Sequence, residues 1–182
     1  MNHKLLLFII LNLLITLKLS ADDGFPVSAS VKKSMVFDVK INKVSEFMKD
    51  ISVFKKNFPG IISVDKKGEK ESEWTYEVDA PLSSPMRMTF LLVERSNSEN
   101  DIVYESKNPK PDYFRCNAVL KEAVNNTTKM SVSIKISMSR ESGSDVHFLA
   151  PILGEKFISK QMKKQISENL GVFLNNCKIE LK

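Results

Sequence analysis

KMSVSIKISMSR, residues Lys129 to Arg140, alternates without a break. Met130, Val132, Ile134, Ile136 and Met138 hold one parity, and Ser131, Ser133, Lys135, Ser137 and Ser139 hold the other. Successive side chains of a β-strand point to opposite faces, so this segment buries one face and wets the other. A slip of one residue would carry all five apolar side chains into water, at about 1.5–3 kcal/mol each, so the register is firmly set. The segment before it, Tyr113 to Val124, places Phe114, Cys116, Ala118 and Leu120 on one face. Asn125–Asn126–Thr127–Thr128 joins the two as a hairpin, and Asn–Asn is an ordinary turn pair because asparagine tolerates positive φ. Two overlapping glycosylation sequons occupy the same residues and remain compatible with the turn.

The same two-residue period extends back to Ile61. Ile61, Ile62 and Val64 precede a turn at Lys66–Lys67–Gly68–Glu69, and Trp74, Tyr76 and Val78 alternate with Thr75, Glu77 and Asp79 until Ala80–Pro81 stops the strand. Met86, Met88, Phe90 and Leu92 form the next inward set, then Ile102 and Tyr104. Asn108–Pro109–Lys110–Pro111 cannot supply a regular ladder, because proline has no N–H. Upstream, Met35, Phe37, Val39 and Ile41 alternate as a first strand, and Asn42 is placed to cap a helix through Val44, Phe47, Met48 and Ile51. A second helical turn holds Val53, Phe54 and Phe58 and ends at Pro59–Gly60. Downstream of Ser142–Gly143–Ser144, Pro151 suits the first turn of a long helix. Its stripe is Ile158, Met162, Ile166, Leu170, Phe173 and Cys177, and Lys160, Lys163, Lys164, Glu168 and Asn175 lie away from it. Gly171 weakens that helix by about 1 kcal/mol relative to alanine. The order predicts an α+β domain: a curved antiparallel sheet of about seven strands around a long C-terminal helix, with two short helices after the first strand.

Lys4, an apolar run from Leu5 to Leu17, and small residues at Ser20 and Ala21 read as a secretory signal peptide over 1–21. At about 13 residues the run falls short of the ~20 that a spanning helix needs. Residues 22–30 read as a leader and 31–182 as the domain. Lys4 and Lys18 account for two of the five net positive charges, so the chain after Ala21 carries +3. Its lysine pairs are scattered among acidic residues without interleaved aromatics, which reads as solvated faces and no nucleic-acid surface. The expected location is the periplasm or, from a eukaryote, the secreted space, with no stable membrane anchor after cleavage. Cys116 and Cys177 both fall on inward faces. An exported protein permits one bridge between them, and two buried thiols fit as well.

Catalytic parts are scarce. His147 is the one imidazole after Ala21, and there is no zinc-ligand spacing, phosphate loop or Gly-x-Ser-x-Gly turn. No cofactor or metal is expected, and hydrolases and NTP-dependent enzymes are disfavoured. Tyr76, Tyr104 and Trp74 are the polar groups with inward parity, whereas Arg87 and Arg115 have the solvent parity. Met86, Met88, Met130, Met138 and Met162 suit either an adaptable apolar pocket or a filled core.

The strand ending Asp38–Val39–Lys40–Ile41, the helical segment from Val44–Ser45–Glu46–Phe47–Met48 to Phe58–Pro59–Gly60, the Trp74–Tyr76 strand and the final Ile152–Leu174 helix carry a resemblance. Together they resemble the helix-grip fold of the START-like (SRPBCC) superfamily, which includes Bet v 1 pollen allergens, polyketide cyclases and ubiquinone-binding proteins. The resemblance covers Val31 to the C-terminus. It implies a hydrophobic cavity between sheet and helix that takes a hydrophobic small molecule or lipid. The candidate lining is Trp74, Tyr76, Met86, Met88, Phe90, Tyr104, Phe114, Ala118, Val132, Ile134, Ile136, Ile158, Met162 and Ile166. A cyclase- or isomerase-like enzyme with a tyrosine acid and an interaction module without a pocket stay open beside the binding protein.

Overall fold

A computed structural model describes residues 24–79, 85–98, 100–146 and 150–182. The signal-peptide reading, Ala80–Pro81 and His147 lie outside the described residues. Seven strands make one antiparallel sheet in the order β1-β7-β6-β5-β4-β3-β2. They are β1 (Phe25–Phe37), β2 (Ile61–Lys66), β3 (Glu71–Val78), β4 (Met86–Asn97), β5 (Asp101–Ser106), β6 (Asp112–Glu122) and β7 (Thr128–Arg140). Helices α1 (Ile41–Lys49) and α2 (Ser52–Asn57) follow β1, and α3 (Ala150–Leu153) and α4 (Glu155–Glu180) end the chain.

The register of β7 is the one its alternation demands. Met130, Val132, Ile134, Ile136 and Met138 are all buried. They face Leu120, Ala118, Cys116, Phe114 and Asp112 across β6. Asn125 and Asn126 both take φ of 58° at the connecting turn, the left-handed conformation that a tight hairpin requires and asparagine accepts.

Helix α4 lies across the hollow of the sheet and touches both of its sides. On one side it covers the free edge of β1. Ser28 N–H, unpaired within the sheet, donates to Ser159 Oγ at 3.1 Å, and the Val36 carbonyl accepts from Lys178 Nζ at 3.0 Å. An open strand edge invites pairing with another chain, and here the helix occupies it. On the other side Gln165 donates to Asp79 at 3.1 Å and Asn176 to the Asn57 carbonyl at 3.1 Å.

Four boundaries differ from the sequence reading. The first strand, expected to run through Val39 and Ile41, ends at Phe37, because Ile41 already belongs to the following helix. Phe25 to Ser30, read as leader, belong to β1, with Val27 and Ala29 buried. Pro26 is tolerated there because β1 is an edge strand and the missing N–H costs no ladder bond. The first helix begins at Ile41 and is entered from Lys40. Asn42 therefore lies inside the first turn, where its Oδ1 accepts from the adjacent Lys43 N–H at 2.8 Å. The final helix does not run unbroken from Ile152: Gly154, at φ +77°, separates α3, which holds Pro151, from α4, which continues to Glu180. A positive φ cannot be accommodated in a right-handed helix, so the chain turns at Gly154.

The outer face of the sheet carries one polar knot. Glu105 accepts from the Tyr113 hydroxyl at 2.6 Å and from Arg115 at 3.1 Å, with Arg95 at 3.7 Å. The Tyr113 hydrogen bond, reinforced by Arg115, holds the Glu105 carboxyl below the usual carboxylate range. A depressed acid stabilises the fold above its unfolded value and loses that contribution as pH falls through its folded value. Acidification from neutral to below about pH 4 is therefore expected to cost the wild type more stability than Glu105→Gln. Urea midpoints of the two proteins at matched pH values measure this, and parallel curves would refute it.

Candidate functional site

The inner parity of each strand delivers its side chains into the space under α4. Trp74, Tyr76, Met88, Phe90, Tyr104, Phe114, Ala118, Val132, Ile134, Ile136, Met162 and Ile166 are buried there in one continuous cluster. Met86 and Ile158 pack on its margin and are half-buried. The two ends of this interior differ in kind.

One end is aromatic. Trp74 lies 4.9 Å from Phe54, 5.3 Å from Tyr104 and 5.8 Å from Phe114 between ring centroids. Phe54 stacks on Phe173 of α4 at 5.4 Å with the planes 13° apart, and Phe58 meets the same ring at 5.4 Å. Phe90 extends the group to Phe114 at 5.3 Å. Phe54, Phe58 and Phe173 were legible as apolar helix faces, but only the placement of α2 against α4 makes them part of this cluster.

The other end is aliphatic and rich in methionine. Met138 pairs with Val27 of β1, whose neighbour Ser28 is bonded to Ser159 near the start of α4. Met86 pairs with Val78, beside the Asp79 that holds Gln165, and Met88 pairs with Tyr76. Met162, also buried, lies on α4 between Ser159 and Gln165, the two residues that make those bonds. Four of the seven methionines in or against the core thus collect under the first half of α4, and Met48 lies on α1. Met130 pairs with Met35 and Leu120 toward the opposite end of the strands.

Polar groups in this interior are few and specifically placed. The Trp74 indole N–H donates to the buried Ser72 Oγ at 2.9 Å. The Tyr76 hydroxyl accepts from Asn169 Nδ2 of α4 at 3.1 Å, and its own proton has no acceptor among the described residues. Burial pushes the Tyr76 hydroxyl up to about 12, so it stays protonated and is a hydrogen-bond donor at neutral pH. Burial, followed by the charge of nearby Glu94, likewise raises Tyr104. Its ring edges a cleft of about 100 Å³ together with Lys49, Ile51, Ser72 and Glu94. Tyr104 is thus a cavity-lining candidate that also borders an open cleft. Two larger clefts lie over Ile41 and the tip of the β6–β7 hairpin.

Cys116 and Cys177 are both buried and both free, so the bridge permitted by their count is not formed. Burial raises each thiol to about 12, which leaves neither as a thiolate nucleophile at neutral pH. No group of three or more His, Cys, Asp or Glu side chains among the described residues is arranged to hold a metal ion. Arg87 and Arg115 face outward, paired with Glu77 and Glu105.

No protein-family model and no curated protein matches this chain. Solved structures do. The Zhui aromatase/cyclase from Streptomyces sp. R1128 superposes with a TM-score of 0.62 at 15% identity, over 85% of this chain and 93% of that one. TTHA0849 from Thermus thermophilus gives 0.58 at 14% identity over 84% and 96% of the two chains. A START superfamily protein from Mycobacterium smegmatis gives 0.50 at 12% identity over 76% and 97%. The likeness is one of architecture: with its seven-stranded antiparallel sheet, two short helices after β1 and long C-terminal helix, this chain has the helix-grip fold, as its START-like neighbours do.

Proposed function

We propose that this chain is an exported single-domain protein that holds a hydrophobic small molecule or lipid between the inner face of the sheet and α4, without transforming it. The observation that carries the reading is the division of the interior. Aromatic rings pack one end, whereas Met86, Met88, Met138 and Met162 surround the other, and Met86 and Ile158 are only half-buried there. Unbranched thioether side chains adapt to a guest of variable shape, and burial of apolar surface at ~25 cal/mol per Å² supplies most of the affinity. The lining is then Met86, Met88, Met138, Ile134, Ile136, Ile158, Met162 and Ile166, with Phe90, Phe114, Ala118 and Val132 deeper. Trp74 and Tyr104 form the aromatic floor. The unused Tyr76 proton fits a guest carrying an oxygen acceptor, with Asn169 holding the phenol in place.

Native mass spectrometry of the chain from Asp22 onward, purified from an exporting host and then extracted with organic solvent, tests the reading. A stoichiometric apolar adduct is expected. A clean apo mass that persists after incubation with a lipid and quinone panel would point instead to a filled core and an interaction role. Tyr76→Phe removes one neutral hydrogen bond, worth about 0.5–1.5 kcal/mol, so retention of an oxygen-bearing guest should weaken about 2- to 12-fold. Loss of product formation in that variant, with the guest still bound, would establish the cyclase-like alternative in which the phenol acts as an acid.

A further inference from the structure

Three large apolar side chains stand in water within six residues of each other around the α3–α4 elbow. Ile152 is 80% exposed, Leu153 39% and Phe157 40%. Phe157 is not a loosely packed core residue. At 100° per residue it lies about 140° from Met162 and 180° from Ile166, the buried side of α4, so its ring points away from the sheet. Lys160 and Lys164, three and seven residues further on, fall on that same outward side, and Lys156 adjoins it. Between Ala150 and Gln165 there are four lysines and one carboxylate, Glu155. This stretch alone has as much net positive charge as the whole chain after Ala21. Of these four lysines only Lys164 meets a carboxylate among the described residues, Glu168 at 4.0 Å. Gly154 turns the chain so that α3 and the start of α4 present their apolar tips from one corner, and a Cβ there would meet nothing within 4 Å.

Apolar tips flanked by exposed ammonium groups match one kind of surface, an anionic bilayer, in which negative headgroups overlie hydrocarbon. Lysine stems can lie along that boundary while their heads reach phosphate. We propose that the α3–α4 elbow is a peripheral docking site for membranes rich in anionic lipid, with Ile152, Leu153 and Phe157 entering the interface and Lys156, Lys160 and Lys164 pairing with headgroup phosphates. No helix among the described residues is long and apolar enough to cross a membrane, so the contact is one of surface insertion. The inference rests on this exposed corner and not on a ligand in the interior, and the two fail separately.

Co-sedimentation of the chain from Asp22 onward, which contains all the described elements from β1 to α4, provides the test. Binding is expected to phosphatidylcholine vesicles containing about 30% phosphatidylglycerol, with little binding to phosphatidylcholine alone. It should fall at least tenfold when salt is raised to about 0.5 M, because exposed charges are then screened. Ile152→Ser with Phe157→Ser, and separately Lys156→Glu with Lys160→Glu, should each reduce binding at least tenfold while circular dichroism stays unchanged, since all four side chains are exposed. Equal binding by wild type and both variants, or none by the wild type, would overturn the proposal. So would a concentration-dependent dimer without vesicles that Ile152→Ser with Phe157→Ser abolishes, because the corner would then be a contact between two copies.

Discussion

Phe173→Ala is expected to lower the unfolding free energy by about 3–5 kcal/mol, the range for truncating a fully buried aromatic side chain. Phe173 is entirely buried. Its ring is the point at which α4 meets α2, stacked on Phe54 and tilted against Phe58, each at 5.4 Å. Removing it withdraws the partner of two other rings and leaves a void that rigid neighbours cannot close, so the loss exceeds the transfer free energy of the missing atoms. The neighbouring Val172 is 44% exposed, and Val172→Ala should move stability by no more than about 0.5 kcal/mol. Urea unfolding of the two variants gives the comparison. A loss below about 1.5 kcal/mol for Phe173→Ala would mean that the helix is held mainly by its polar contacts to β1 and β3 and that the aromatic end is loosely packed.

Legibility in the sequence followed from how local the determining physics was. The buried and wet faces of the β6–β7 hairpin could be read because a strict two-residue period leaves a single assignment, and the structure pairs Phe114 with Ile136 and Ala118 with Val132 on the buried face, although Val124 belongs to the turn and Thr128 to β7. The start of β1 could not, because Val27 and Ala29 alternate with serines in a stretch that also holds Gly24 and Pro26. Small residues carry too little apolar contrast to reveal a strand whose burial comes from α4 lying over it. The break at Gly154 was hidden for another reason. A glycine in a run of good helix formers is normally a tolerated weak point, and only the positive φ shows that the chain turns there.

The site divides in the same way. Inward parity could be assigned strand by strand, and all fourteen candidate residues do fall within the cluster or on its margin. The separation into an aromatic end and a methionine end is a long-range property, set by which part of α4 meets α2 and which part meets the β1 edge. Neither the Phe54–Phe173 stack, 119 positions apart in the chain, nor the Tyr76–Asn169 hydrogen bond has a local signature. Likewise the inward parity of Cys116 and Cys177 was readable, but whether they approach closely enough for a bond depends on where along β6 the last turns of α4 settle. They remain two free thiols.

Met88→Trp is expected to separate a hollow interior from a solid one through the sign of a stability change. Met88 is buried on β4, opposite Tyr76 and under the first half of α4. If a guest occupies that end, the protein without it has room for an indole. The variant should then unfold within a few degrees of the wild type or above it, while the extractable adduct disappears, because the side chain now occupies the guest's volume. If methionines fill the space by themselves, the added ring forces neighbours off their rotamers at about 1–3 kcal/mol. In a domain of this size that lowers the melting temperature by roughly 2–12 °C, with no adduct to lose. Thermal unfolding of the delipidated proteins, read beside the mass of each as purified, gives both quantities. The carrier reading requires lost adduct with retained stability. Retained adduct at unchanged stoichiometry would place the guest elsewhere than under α4, and lost stability without any adduct would assign these methionines to packing alone.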